Sequence, residues 1–199
     1  ADLAAKLAEE NRLRKNLDKA RELAKAARAK QGNHPLASYV LAKLEMAGGR
    51  SKEALELLEG AVDQKAPERK VLLELGKLYH DAGEFAKAAK IYELGRDAEP
   101  YDSHWLLQLT RVYAQSGDKG KLVAALKALV PTDADDLEHR KRLARLLEDA
   151  GRHDEAEKYA RECLEIDIRD KEAREVLFKA LEAQNKNEEA GKLRKMLEL

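Results

Sequence analysis

Apolar and small residues recur along the chain at a constant spacing of 34 residues. Four positions keep this spacing over nearly the whole sequence, and three of them are occupied mostly by one type of residue. They are Leu7, Leu41, Leu75, Leu109, Leu143 and Leu177; Ala8, Ala42, Gly76, Thr110, Ala144 and Phe178; Gly49, Gly83, Gly117, Gly151 and Asn185; and Ala20, Ala54, Ala88, Leu122, Ala156 and Ala190. Self-similarity at such a period indicates an array of small structural units.

Each unit is predicted to contain two amphipathic helices with a short turn between them. In the third unit, the spacing of Leu72, Leu75 and Tyr79 places these residues on one face of a helix. A Gly or Asn then ends the first helix. Because the turn is short, the two helices are antiparallel neighbours. One pair cannot bury its own apolar face, so the pairs are expected to stack into an all-α solenoid.

The period and the motif resemble the tetratricopeptide repeat family. The best match is the unit 69–102, which carries Leu72, Leu75, Gly76, Tyr79, Gly83, Phe85, Ala88, Tyr92 and Pro100. The resemblance covers the whole chain, in frames 1–34, 35–68, 69–102, 103–136, 137–170 and a short 171–199. It implies about twelve helices in a right-handed superhelix that forms a single domain over residues 1–199.

The first unit departs from the pattern at its turn, where Lys15 stands in place of the usual Gly. We expect Asn16 to adopt the left-handed conformation there, because Asn tolerates it better than most residues. The alternative is one continuous helix from about Leu3 to Lys30.

Later units place unusual residues in slots that are normally small or apolar. The fourth unit has Leu122 and Leu129 in small slots, and Pro131 should end its second helix early. We therefore predict the largest local irregularity in residues 118–131. Arg140 and Arg174 occupy a large apolar slot, where their stems are expected to pack while their guanidinium groups reach water.

Composition and charge narrow the classes of function. Charged residues make up 38% and aromatic residues only 5%, a mixture typical of repeated helices. The 38 basic and 38 acidic residues cancel, which speaks against nucleic-acid binding, since that depends on excess positive charge. No apolar run reaches the roughly 20 residues of a membrane span, so no membrane insertion is predicted. We expect a soluble protein; the compartment, cytoplasmic or periplasmic, stays open.

Known catalytic, metal and cofactor motifs are absent from the sequence. It has no H-E-x-x-H, no glycine-rich phosphate loop and no C-x-x-C. Cys163 falls in a small buried slot and Trp105 beside a large one, so both are predicted to be packing residues. The sequence therefore predicts a protein that is not an enzyme, with no catalytic residue, no metal site and no cofactor.

A candidate partner site lies on the first helices, which line the concave groove in the family that the chain resembles. Positions 2, 5, 9 and 12 of each unit share one stripe of the first helix. Position 9 carries a run of cations: Lys43, Lys77, Arg111, Arg145 and Lys179. Large apolar residues accompany them at position 5 and nearby, and Lys141 continues position 5 in the fifth unit. These residues are Leu36, Tyr39, Met46, Leu73 and Leu107.

This arrangement predicts a groove in which apolar residues take anchors and cations take carboxylates. The open alternative is a solvated face whose cations pair with nearby Glu74, Asp81 and Glu148. The chaperone-tail clamp of some family members is not predicted, because its Asn at position 9 is replaced here by Lys or Arg.

Two functions follow from these patterns. The first is a non-catalytic scaffold that binds a protein or peptide partner, including partners with acidic residues. The alternative is a structural or positioning appendage of a larger multidomain protein, whether or not that protein is an enzyme, suggested by the start at Ala1 and the apolar last helix with Leu193, Met196 and Leu197. A monomer is the default expectation, with dimerisation through that last helix as the alternative.

Overall fold

The computed structural model describes residues 1–197, and for residues 196 and 197 it describes the helix but not the side chains. The predicted dimer contact depends partly on Met196 and Leu197, so it lies outside the described side chains. Within the described part, the chain is an all-α solenoid of helix pairs without strands. The helices are α1 Asp2–Leu13, α2 Leu17–Lys30, α3 Pro35–Ala47, α4 Ser51–Glu59, α5 Arg69–Asp81, α6 Phe85–Ala98, α7 Ser103–Ser116, α8 Lys119–Leu129, α9 Leu137–Asp149, α10 His153–Ile166, α11 Lys171–Ala183 and α12 Asn187–Leu197.

The helices form two compact units, one spanning Ala1–Gln108 and one beginning at Leu109. In the first unit, α1 packs on α2, α3 on α4 and α5 on α6, and α2 also contacts α3 while α4 contacts α5. The first helices touch one another, α1 with α3 and α3 with α5. In the second unit, α9 packs on α10 and α11 on α12, and α9 contacts α11. That the six frames make one domain stays a prediction.

The turn inside each pair has one residue in the left-handed region at the same place in every frame. Four of these residues are glycines and two are not, namely Lys15 with φ 62° and Asn185 with φ 60°. The glycines are Gly49, Gly83, Gly117 and Gly151. The positive φ allows a backbone amide after the turn to donate a hydrogen bond to a carbonyl in the last turn of the first helix. In the third frame the Glu84 amide donates to the Tyr79 carbonyl over 2.8 Å.

The first turn has the same geometry, but the residue that adopts it is not the one predicted. The Asn16 amide donates to the Asn11 carbonyl over 2.8 Å, and this bond has the register seen at Glu84. This register places Lys15 in the left-handed position, while Asn16 has φ −86°. The expectation for Asn16 was wrong, because the shared turn geometry outweighs the local preference of Asn. The alternative of a continuous helix was also wrong, since α1 ends at Leu13 and α2 begins at Leu17.

Two aromatic side chains lie against glycines where helices cross closely. Gly76 of α5 faces the ring of Tyr92 on α6, and a Cβ atom at residue 76 would overlap that ring. Gly95 of α6 faces the indole of Trp105, and a Cβ there would stand 2.5 Å from Cε3. Trp105 is fully buried, as predicted for a packing residue. These contacts fix how near the helices of the first unit stand to one another.

The most irregular part of the described array is in the second frame. The shortest α-helix is α4, with 9 residues, and no regular element covers residues 60–68 after it. Residues 118–131 were expected to be the least regular, and this was wrong. The helix α8 has 11 residues and ends at Leu129, just before a 3-10 turn that contains Pro131. Both Leu122 and Leu129 are buried there.

Arg140 is buried, in contrast to the expectation that its guanidinium would reach water. Only 7% of the residue is exposed, and Nη1 donates to the Asp133 and Asp136 carbonyls, each over 2.8 Å. The Arg140 side chain therefore ties the loop before α9 to the helix. Arg174 is half-buried, and its Nε donates to the Ile168 carbonyl over 2.8 Å.

Replacing Gly95 with Ala should destabilise the protein. The new methyl group would overlap the Trp105 indole, and overpacking of this kind costs about 1–3 kcal/mol. The measurement is urea unfolding followed by circular dichroism. Gly191→Ala is the control, because nothing lies within 4 Å of a Cβ at that helical residue. This control should gain about 0.5–1 kcal/mol, and equal effects at the two sites would contradict the packing explanation.

Replacing Lys15 with Gly should stabilise the first helix pair. The left-handed conformation costs an L-residue about 1–2 kcal/mol, and glycine avoids this cost. Glycine also loses more backbone entropy on folding, which offsets part of the gain. We expect a net gain of about 0.5–1 kcal/mol in thermal unfolding. Arg14→Gly, at the neighbouring residue with φ −79°, should destabilise. A loss of stability in Lys15→Gly would show that the turn does not store this strain.

Candidate partner-binding face

The predicted groove residues lie on what we call the first-helix face, formed by positions 2, 5, 9 and 12 of the first helices. In the first unit these helices are α1, α3, α5 and the start of α7, which carries Leu107, and in the second unit they are the rest of α7, which carries Arg111, together with α9 and α11. The helices α2, α4 and α6 make no comparable contacts with one another in the described first unit. The first helices are therefore close enough for side chains of neighbouring frames to meet across this face.

The apolar residues of the face in the first unit are only partly exposed. Leu36, Tyr39, Met46, Leu73 and Leu107 are all half-buried. Leu36 and Tyr39 also pack against the core of the first two helix pairs. Each side chain thus offers part of its surface to a partner while the rest supports the array.

The cations of position 9 in the first unit are in different states. Lys43 Nζ donates to Glu74 Oε1 over 3.0 Å, an ion pair between neighbouring frames. Lys77 is exposed and makes no ion pair among the described residues. The charge of Lys43 is therefore largely satisfied within the array, whereas that of Lys77 faces solvent. Lys77 follows Leu73 by one helical turn on α5.

The second unit shows the same division. Lys141 Nζ donates to Asp170 Oδ2 over 3.1 Å and pairs with Glu138 over 2.9 Å, and these carboxylates raise its pKa. Arg145 Nη1 donates to Glu172 Oε1 over 2.7 Å. Arg111 and Lys179 are exposed and make no ion pair in the described chain. The predicted ladder is thus a mixture of paired and free cations.

A buried carboxylate on this face went unrecognised as a site in the sequence. Glu9 is 7% exposed and accepts hydrogen bonds from Arg12 Nε over 2.7 Å and Lys70 Nζ over 3.0 Å. Lys70 belongs to the third frame, so this bond spans the second frame. Both cations also lie near the ring of Tyr39, with Arg12 at 5.7 Å and Lys70 at 5.6 Å from its centroid. The signal available in the sequence was that Glu9 is the one acid of position 9.

Burial raises the pKa of Glu9, but the hydrogen bonds from Arg12 and Lys70 outweigh burial and leave the pKa below its ordinary value. The Glu9 carboxylate therefore stays ionised at neutral pH. We call Glu9, Arg12, Tyr39 and Lys70 the Glu9 cluster. It fixes one end of the first-helix face and leaves Leu73 and Lys77 outside the network.

Residues with reactive or ligating side chains take structural roles. Cys163 is fully buried, and burial raises its thiol pKa to about 12, so it packs as a small apolar residue. Trp105 Nε1 donates to Glu99 Oε2 over 2.7 Å. Among residues 1–197, no cluster of three or more His, Cys, Asp or Glu is placed to hold a metal ion. None of the described helices is long and apolar enough to cross a membrane.

Comparisons with known proteins agree with this architecture. A sequence model of the tetratricopeptide repeat matches residues 12–72 and 45–107, and a second model of this repeat matches residues 140–175. Among curated protein sequences none matches the chain. A crystal structure of MamA has a TM-score of 0.59 at 20% identity, covering 92% of this chain and 96% of that chain.

Two other MamA structures give similar values. One from AMB-1 has a TM-score of 0.62 at 22% identity, with 82% of this chain and 90% of that chain covered. One of MamA residues 41 to the end, from Desulfovibrio magneticus RS-1, has a TM-score of 0.58 at 15% identity, with 85% and 96% covered. Identities this low show a shared fold.

Stacked helix pairs whose first helices present a shared side-chain face define a helical-repeat scaffold for protein–protein interaction, a class that is generally non-catalytic. The matched segments together include more than half of the residues, and the chain belongs to the tetratricopeptide repeat family.

Glu9→Gln should destabilise the protein at neutral pH. The amide cannot satisfy two cations, and losing charged hydrogen bonds at a buried site costs about 1–3 kcal/mol. Because the folded-state pKa of Glu9 is lowered from 4.5, its stabilisation is complete above that pH and is lost as the pH falls through the lower folded value. The two proteins should therefore converge in acid. Urea unfolding at several pH values measures this convergence.

The matched control for this prediction is Glu10→Gln. Glu10 is exposed and pairs only with Arg14, one turn away. Its loss should change the free energy of unfolding by less than about 0.5 kcal/mol. A pH-independent difference between the Glu9→Gln variant and the unsubstituted protein would contradict the role given to the carboxylate.

Proposed function

We propose that the first-helix face of the first unit binds a peptide or partner segment that combines an apolar anchor with an acidic group. The observation that carries this proposal is the state of Lys77. It is exposed and makes no ion pair among the described residues, while the preceding cation of the ladder, Lys43, is held by Glu74. A free cation next to a half-buried Leu73 offers both parts of a recognition site.

The Glu9 cluster supports this reading by limiting where an acidic group can bind. Arg12 and Lys70 already donate to Glu9, so an incoming carboxylate would have to displace a buried one there. At Lys77 no such competition exists. The apolar anchor would contact Leu73 and the exposed part of Tyr39, whose ring has Arg12 at 5.7 Å and Lys70 at 5.6 Å from its centroid. Leu36, Met46 and Leu107 extend the apolar surface.

The second unit would contribute in the same way through its unpaired cations. Arg111 and Lys179 are exposed, whereas Lys141 and Arg145 are engaged by Asp170 and Glu172. We propose that Arg111 and Lys179 recognise acidic groups, whereas Lys141 and Arg145 stabilise the packing of the helices. Binding to either unit should weaken as salt rises, because exposed charges are screened over about 8 Å at physiological ionic strength.

Peptide display on two forms of the protein tests this proposal. One form is the chain as it stands, and the other carries Leu73→Ala and Lys77→Ala. We expect a shared motif with an apolar and an acidic residue to be enriched on the first form and lost on the second. Affinities of the enriched peptides, measured by fluorescence anisotropy, should fall about tenfold or more in the variant, since a buried apolar contact and a charge pair are lost together.

The control carries Leu94→Ala and Lys90→Ala. These residues are the same types on the second helix α6, with Leu94 half-buried and Lys90 exposed. The control should retain the motif and the affinity. If peptides bind the Leu73→Ala, Lys77→Ala variant as tightly as the control variant, or if their affinity does not respond to salt, then Leu73 and Lys77 do not belong to the site.

A further inference from the structure

A second groove opens between α2 and α4, apart from the first-helix face. It has a volume of about 840 Å³, which is within the roughly 300–1,000 Å³ typical of ligand sites. Its apolar floor residues are Ala29 of α2, Leu41 of α3 and Leu57 of α4, and Glu45 of α3, which pairs with Arg21 and Arg50, also lines it. The groove exists because α1 and α3 pack against each other while α2 and α4 make no comparable contact among the described residues, so a gap remains over α3.

The two walls of this groove, which we call the α2–α4 groove, carry opposite charges. The α2 wall is basic, with Arg21, Lys25 and Arg28. The α4 wall is acidic, with Glu53 and Glu56. Opposite walls over an apolar floor match a partner with an apolar stripe, acidic residues along one edge and basic residues along the other.

Several of these charges have no partner of their own. Lys25, Glu53 and Glu56 are exposed and make no ion pair in the described part of the chain. In contrast, Arg21 is bound by Glu45, and Arg28 Nε donates to the Gly32 carbonyl over 2.7 Å. The groove thus offers one free positive and two free negative side chains on opposite sides of its floor.

The length and shape of the groove fit an α-helix. Arg21, Lys25 and Arg28 have the i, i+4, i+7 spacing, so the basic wall runs for two helical turns, about 10 Å. The floor lies between two helices, and side chains of a third helix pack into such a gap by ridges and grooves. On its opposite side, α3 already packs between α2 and α4 in this way.

We infer that the α2–α4 groove binds an amphipathic helix of a partner protein, with its apolar stripe on Leu41 and Leu57 and its charged edges paired with the two walls. This site is separate from the first-helix face and requires neither Leu73 nor Lys77. The protein would then hold two partner segments on different surfaces of its first unit.

Designed peptides test the inference directly. Three helical peptides of about four turns share one leucine stripe and differ in the charged residues along its two edges. The mixed peptide has Glu along one edge and Lys along the other. The second peptide has Glu along both edges, and the third has Lys along both. A helix can lie in either direction, so the mixed peptide can always match both walls. It should bind about fivefold more tightly than the other two, the effect of two or three exposed charge pairs. A fourth peptide, the mixed sequence with a central proline, should not bind.

Two substitutions on the protein sharpen this test. With Glu53→Lys and Glu56→Lys both walls are basic, and the peptide with two Glu edges should become the tightest ligand. Asp154→Lys with Glu165→Lys is the matched control, because it makes the same charge change at exposed residues of the second helix α10, outside both the groove and the first-helix face. The control should keep the preference for the mixed peptide.

A blocking variant tests the location without altering charge. Ala29→Trp fills the groove from an exposed residue of α2 and should abolish binding, whereas Ala26→Trp, exposed on α2 but outside the groove, should not. Circular dichroism checks that both remain helical. The inference is overturned if no helical peptide binds, if the proline peptide binds equally, if Ala29→Trp has no effect, or if the edge preference fails to reverse.

Discussion

Close approach of helices at small residues is the constraint on which the rest of this structure depends. Gly76 lies under the ring of Tyr92, and Gly95 lies under the indole of Trp105. Alanines take the equivalent role elsewhere, for example Ala8 and Ala20, which are fully buried. Because the pairs are held this near to each other, charged side chains of neighbouring first helices come within hydrogen-bond reach, and the electrostatics of the face follow from the packing.

This reach explains why the row of cations at position 9 is not uniform. A helix face with many Lys and Arg would repel itself if the chain had no acids to meet them. The chain places Glu74 against Lys43 and Glu172 against Arg145, in each case from the following frame. Lys77, Arg111 and Lys179 lack such an acid among the described residues. The exceptions, rather than the row itself, are therefore the informative part for function.

The fold could be predicted from the sequence because its signal is repeated. Lys15 adopts the left-handed conformation although Lys does not favour it, and even this turn lies where the period of 34 places it. The Glu9 cluster could not be predicted, since the bond from Lys70 joins residues 61 apart and depends on how the helix pairs stack in three dimensions. The expectation for Arg140 was wrong because the sequence looks the same whether an Arg guanidinium at this position reaches water or, as here, bonds the carbonyls of the preceding loop.

The bond between Glu9 and Lys70 has a consequence for how the array comes apart. In an ideal solenoid each pair interacts only with its immediate neighbours, so the terminal pair frays independently of those further along. Here the first and third frames are joined directly, by a contact that skips the second. Opening of the first pair thus also removes a support of the third, and the three pairs unfold more nearly as one cooperative block than their nearest-neighbour contacts alone would dictate.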